Sequence, residues 1–150
     1  MKINTLNAKE TEKIGFLLSK KSNFFALRGD LGSGKTTFLK GVARGLKIKE
    51  DILSPTFVIF KKYKIEGGFF YHLDAYRVDE KDLLELSFLE IIKDSNSIIA
   101  AEWSENIEKI LPKKRIDITF RFITPKKREL IIKGISAKMK DVLRARSSAG

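Results

Sequence analysis

The stretch Phe24 to Leu46 reads FFALRGDLGSGKTTFLKGVARGL. Within it, Gly29-Asp30-Leu31-Gly32-Ser33-Gly34-Lys35-Thr36 fits G-x-x-x-x-G-K-[ST], the phosphate-binding P-loop. The apolar run Phe24 to Leu27 enters the loop and reads as a buried strand. Phe38, Leu39, Val42, Ala43 and Leu46 leave it on one helical face. Strand, glycine loop and helix are the context this motif requires. The glycines admit positive φ, so that backbone N–H groups can converge on phosphate oxygens. The helix N-terminus adds partial positive charge. In such a loop Lys35 reaches the β- and γ-phosphates, and Thr36 places its hydroxyl on Mg²⁺.

Upstream, Asn7 and Glu10 have the spacing of a capping box, and Ile14, Leu17 and Leu18 form an apolar stripe, which predicts a helix over 8–20. Downstream of the P-loop helix, Gly45 is expected to help end it. Ser54-Pro55-Thr56-Phe57 then breaks the pattern. Ser54 and Thr56 stand where a hydroxyl could touch a γ-phosphate or its metal, although loop hydroxyls also serve turns. Phe57 to Ile65 and Phe69 to Asp74 flank Glu66-Gly67-Gly68 and read as a hairpin. Period-two alternation puts His72 and Asp74 on one face, with Asp74 at the carboxyl end of its strand, where open α/β sheets place ligands. Residues 80–93 read as one helix with an acidic start and with Leu83, Leu84, Leu86 and Leu89 inward.

Ser97 to Trp103, SIIAAEW, reads as a buried parallel strand ending in the carboxylate of Glu102. A P-loop nucleotidase needs such a carboxylate beside the Mg²⁺ held by Thr36. Residues 115–123 and 128–132 form a second hairpin, with Ile116, Ile118, Phe120 and Phe122 on one face. A last helix is expected over 136–146, and 147–150 as a flexible tail.

These elements predict one α/β domain over 1–146 of the P-loop NTPase type, with a mixed, mostly parallel sheet and helices on both faces. A chain of 150 residues can bury a core of its own. It has no cysteine, which excludes disulfide and thiolate chemistry. No apolar run approaches a membrane span and the N-terminus has no signal-peptide core, so a cytoplasmic location is expected. The net charge of +11 is uneven: residues 109–150 carry 13 Lys+Arg against 3 Asp+Glu. That excess suggests an anionic partner. Lys113-Lys114-Arg115 and Lys126-Lys127-Arg128 should lie at opposite ends of the second hairpin. The latter cluster could contact tRNA phosphates without bearing on nucleotide affinity.

Four segments together resemble the bacterial TsaE family, also called YjeE: GDLGSGKTT at 29–37, SPTF at 54–57, YHLDAYR at 71–77 and EWSE at 102–105. The resemblance covers about residues 8–112. It implies a P-loop ATPase of tRNA threonylcarbamoyladenosine (t6A) biosynthesis, with ATP or ADP and Mg²⁺ as cofactors. Asp30, Leu31, Gly32, Ser33, Gly34, Lys35, Thr36 and Thr37 would hold the phosphates. Thr36 and Glu102 would ligate Mg²⁺, Asp74 would support hydrolysis, and Trp103 would lie near the nucleotide. Ser54 and Thr56 would sit in a switch-like loop. The implied partners are the threonylcarbamoyl-transfer subunit and its inactive paralogue (TsaD and TsaB type), with tRNA as the substrate of that complex. One departure is Ser87, where the family usually has glycine.

A small-molecule P-loop kinase is the main competing reading. It needs an acceptor pocket and lid arginines, and Arg77 is the only arginine near the site by sequence. A GTPase would carry N-K-x-D and D-x-x-G, which are absent here. A pure nucleic-acid-binding module would leave the P-loop idle.

Overall fold

The structure is a computed structural model and describes residues 1–52 and 60–149, with side chains through Arg146. Seven strands form one sheet: β1 (Lys2–Thr5), β2 (Phe24–Arg28), β3 (Phe60–Ile65), β4 (Gly68–Asp74), β5 (Ser97–Glu102), β6 (Ile116–Phe122) and β7 (Arg128–Lys133). Their spatial order is β1-β7-β6-β2-β5-β4-β3. The four central strands, β6, β2, β5 and β4, are mutually parallel, and β7 and β3 run against their neighbours. The sheet is therefore mixed and mostly parallel, as expected for a P-loop fold.

Alternation along β2 divides the core. Phe25 and Leu27 face α1 (Ala8–Leu18), α2 (Lys35–Gly45) and α5 (Ala137–Ala149); Phe24 and Ala26 face α3 (Glu80–Glu85) and α4 (Phe88–Lys93). A strand buried on both sides must be apolar at every position, and Phe24 to Leu27 are all at most 2% exposed. Helices α1 and α2 pack almost backbone to backbone. A Cβ on Gly41 would fall 1.8 Å from the Glu12 carbonyl oxygen, and one on Gly15 would fall 2.1 Å from that of Phe38. Gly45 is the last residue of α2 and packs against Ser19.

The start of α1 differs in detail from a capping box. Asn7 Oδ1 accepts from the Glu10 N–H at 3.0 Å, but Glu10 Oε2 accepts from the Leu6 N–H at 2.6 Å, one residue before the cap. The helix expected over 80–93 is two helices. Asp79 and Asp82 cap α3 reciprocally, and the chain then turns at Ser87, with φ 59°, before α4. This left-handed residue is what makes glycine the favoured choice there. The kink also corrects the expected burial: Leu83 and Phe88 are fully buried, whereas Leu84, Leu86 and Leu89 are 42–47% exposed. Phe122, at the end of the face shared by Ile116, Ile118 and Phe120, is 57% exposed. Strand β1, which periodicity missed, forms the edge beside β7, and α5 continues beyond residue 146.

Candidate functional site

The carboxyl ends of β2, β4, β5 and β6 converge on one edge of the sheet, and the glycine loop crosses it. Gly29, Gly32 and Gly34 have φ of 146°, 76° and 110°. A side chain at Gly29 would also strike Ser33 Oγ at 2.6 Å and the Phe120 carbonyl oxygen at 2.7 Å. Inside the turn the Ser33 N–H donates to the Asp30 carbonyl oxygen at 3.1 Å. Ser33 Oγ is buried with no hydrogen-bond partner among the described residues. Lys35 opens α2, and its ammonium donates to the Gly29 carbonyl oxygen.

Lys35 is 5% exposed, although it directly follows the glycine loop. Its ammonium lies 4.1 Å from the centre of the Trp103 ring. Burial lowers the Lys35 pKa, and Glu102, Glu105, Asp74 and Asp30 oppose that shift. The site thus holds a partly desolvated cation among carboxylates.

Asp74 and Glu102 are paired across β4 and β5, so both side chains project from the same sheet face, the one carrying α2. Glu102 is 4% exposed. Burial is also the leading cause that raises the Asp74 pKa; the Tyr76 N–H, which donates to Asp74 Oδ1 at 3.0 Å, opposes the rise. The neighbouring Glu102 carboxylate adds to the rise at Asp74, and His72 and Lys35 oppose it.

Trp103 follows β5 with φ 57°, an uncommon conformation for a bulky residue, which costs of order 1–3 kcal/mol. The turn folds its indole back over Lys35, and Tyr76 packs on it with ring centres 5.0 Å apart. These rings wall one side of a cavity of about 1330 Å³. Leu31, Gly32, Ser33, Gly34, Lys35, Thr36, Thr37, Asp74, Glu102 and Trp103 all line it. Asp30 accepts the loop hydrogen bond but is not part of the lining. Ser54 and Thr56 lie outside the described residues.

The opposite wall was not legible from motifs. It consists of Leu6, Asn7, Ala8 and Thr11 at the start of α1, with Pro125, Lys126 and Arg128 at the tip of the β6–β7 hairpin. β6 runs parallel to β2, so its carboxyl end, and hence the tip, must reach the P-loop edge. Lys113 to Arg115, which precede β6, lie at the other end. Two corrections follow. Lys126 and Arg128 belong to the P-loop cavity and are not an independent basic surface. Arg128 joins Arg77 as a second arginine at the site. Its Nη1 donates to the carbonyl oxygens of Thr124 at 2.6 Å and Lys127 at 3.0 Å, and its Nε is buried without a partner among the described residues. A hint was present in the sequence: a basic hairpin tip after a strand that must be parallel to β2.

Among the described residues, no group of three or more His, Cys, Asp or Glu could hold a metal, and no helix is long and apolar enough to cross a membrane. Residues 5–130 match the sequence model of the family described as "Threonylcarbamoyl adenosine biosynthesis protein TsaE". The chain is 36% identical over 133 residues to the tRNA threonylcarbamoyladenosine biosynthesis protein TsaE of Bacillus subtilis (strain 168), covering 87% of this chain and 83% of the relative. It is 46% identical over 101 residues to the protein of that name in Borreliella burgdorferi, covering 66% and 73%. The crystal structure of Bacillus subtilis YdiB superposes with a TM-score of 0.72 at 29% identity, over 99% of this chain and 95% of that one. Sequence, topology and the P-loop cavity agree: the chain belongs to the TsaE family.

Proposed function

We propose that this protein is a Mg²⁺-dependent ATPase that serves tRNA threonylcarbamoyladenosine synthesis, the process named in its relatives. The observation that carries the reading is the meeting of Lys35, Thr36, Asp74 and Glu102 in one cavity with the glycine loop. The residues fit a nucleoside polyphosphate. Ser33 Oγ is a buried hydroxyl at the loop with no partner among the described residues, and Lys35 is a buried cation beside it. Thr36 and Glu102 would hold Mg²⁺, a hard cation that takes one or two protein oxygens and completes its shell with phosphates and water. Bound there, Mg²⁺ would neutralise charge on the β- and γ-phosphate oxygens.

The chain's own groups divide the remaining work. The loop amides and Lys35 orient the phosphates. Trp103 and Tyr76 keep water from the lysine side of the cavity. Asp74, at the edge of the paired carboxylates, orients the attacking water. The far wall, between the start of α1 and the hairpin tip, is left for the nucleoside end of ATP. Turnover of the isolated protein is slow, because an arginine supplied in trans can be worth ~10³–10⁵ in rate. A threonylcarbamoyl-transfer complex with its paralogue subunit is the proposed partner that raises it.

The test is calorimetry and phosphate release without any added acceptor. Lys35→Met keeps the buried stem and removes the charge. It should weaken ATP binding about 10- to 150-fold, the worth of a hydrogen bond to a charged group. Glu102→Gln should remove the benefit of Mg²⁺ to binding. Asp74→Asn should bind normally and turn over slowly, because water positioning acts in the transition state. Unchanged ATP affinity in Lys35→Met would overturn the nucleotide reading, and hydrolysis that depends on a small acceptor would make the protein a kinase.

A further inference from the structure

We propose that His72 is a positioning residue for the Glu102 carboxylate. The inference rests on the reading of Glu102 as a Mg²⁺ ligand. His72 is 0% exposed and does not line the cavity, so whatever it does at the site it does through a neighbour. It stands on β4 between Phe70 and Asp74, on the face packed under α2. In register it opposes Ala100, two pairs before the Asp74–Glu102 pair and on the same face, so its ring reaches diagonally along the sheet. Nε2–H donates to Glu102 Oε2 at 2.7 Å, with both side chains out of water.

The burial argues that this contact is why the position is a histidine. The core on that face of the sheet is apolar: Phe70, Ala100, Leu39 and Val42 belong to one buried cluster. The other ring nitrogen, Nδ1, is buried without a partner among the described residues. Leaving a buried polar atom unpaired is unfavourable. A core side chain such as leucine or phenylalanine would fill the space without that loss. The polarity is accounted for by Glu102, a buried carboxylate that needs a donor from the core side if its orientation is to survive the absence of a ligand. A group that holds a ligating carboxylate in this way typically contributes 10- to 100-fold to metal affinity.

His72 is the only histidine in the chain, so its imidazole nitrogen signals can be read by NMR without assignment work. The experiment adds Mg²⁺ to the ADP complex of the full chain. In the parent, the imidazole ¹⁵N signals should move when Mg²⁺ is added, and in Glu102→Gln they should not. In parallel, calorimetry follows Mg²⁺ binding to the ADP complexes of two variants. His72→Leu keeps volume and loses the donor; it should weaken Mg²⁺ about 10- to 100-fold and leave Mg²⁺-free ADP affinity unchanged. His72→Gln, with an amide N–H near the position of Nε2, should restore most of that loss.

Signals in the parent that stay fixed on addition of Mg²⁺ would overturn the proposal, and this measurement holds even if His72→Leu fails to fold. So would a folded His72→Leu with parental Mg²⁺ affinity, or His72→Gln failing alongside His72→Leu with the same loss of Tm. If Glu102→Gln weakens Mg²⁺ and His72→Leu does not, only the role of His72 falls. If Glu102→Gln leaves Mg²⁺ affinity intact, the reading of Glu102 falls and takes this inference with it.

Discussion

Replacing Ser87 by glycine should stabilise the protein. Ser87 sits at the break between α3 and α4 with φ 59° and ψ 32°. It is exposed, and its hydroxyl makes no cap hydrogen bond, so removing the side chain forfeits no helix cap. A residue with a Cβ loses about 1–2 kcal/mol in the left-handed region. Glycine relieves that strain but gives the unfolded chain more freedom, at about 0.5–1 kcal/mol. The net gain is about 0.5–1 kcal/mol, which for a chain of this size raises Tm by about 1–4 °C. Ser87→Ala keeps the Cβ and should show no gain. The assay is thermal and urea unfolding of the three proteins; the urea midpoint should rise for Ser87→Gly with the slope unchanged. A Ser87→Gly protein no more stable than the parent, or one matched by Ser87→Ala, would refute the assignment of a strained left-handed kink.

Asp74→Asn keeps the acceptor for the Tyr76 N–H but has no charge to desolvate. Burial raises the Asp74 pKa in the folded state, so the fold binds more protons than the unfolded chain between the ordinary value of 3.8 and that raised value. Stability is therefore lost as pH rises through this window, and the variant should be the more stable protein at pH 7. The advantage should vanish below pH 3.8, where both states are protonated; thermal melts across pH check it. Lys126→Gln with Arg128→Gln should weaken ATP binding in calorimetry, because both residues line the P-loop cavity. Lys113→Gln with Lys114→Gln, at the far end of the hairpin, should leave it unchanged. Phe38→Ala should cost about 3–5 kcal/mol in urea unfolding, because Phe38 is fully buried between Phe25 and Phe120.

What could be read from the sequence alone was local. The strand, glycine loop and helix from Phe24 to Gly45 are contiguous, and their signals are backbone freedom at glycine and apolar periodicity, which need no distant partner. Asp74 and Glu102 were legible for a related reason. Each ends an apolar strand, and strand parity fixes which neighbours share its face. The break at Ser87 was visible only as a departure from the family pattern. Tertiary structure decided the rest, through contacts that join residues far apart in the chain. Strand β1 exists because β7, more than 120 residues later, offers it an edge. The cavity's second wall exists because β6 lies parallel to β2, which carries the Pro125–Arg128 tip to the loop and turns an expected independent basic surface into part of the site. The contact between His72 and Glu102 depends on β4 lying beside β5 in one register. Local pattern sets which face a side chain takes; only the order and register of the strands set what it meets there.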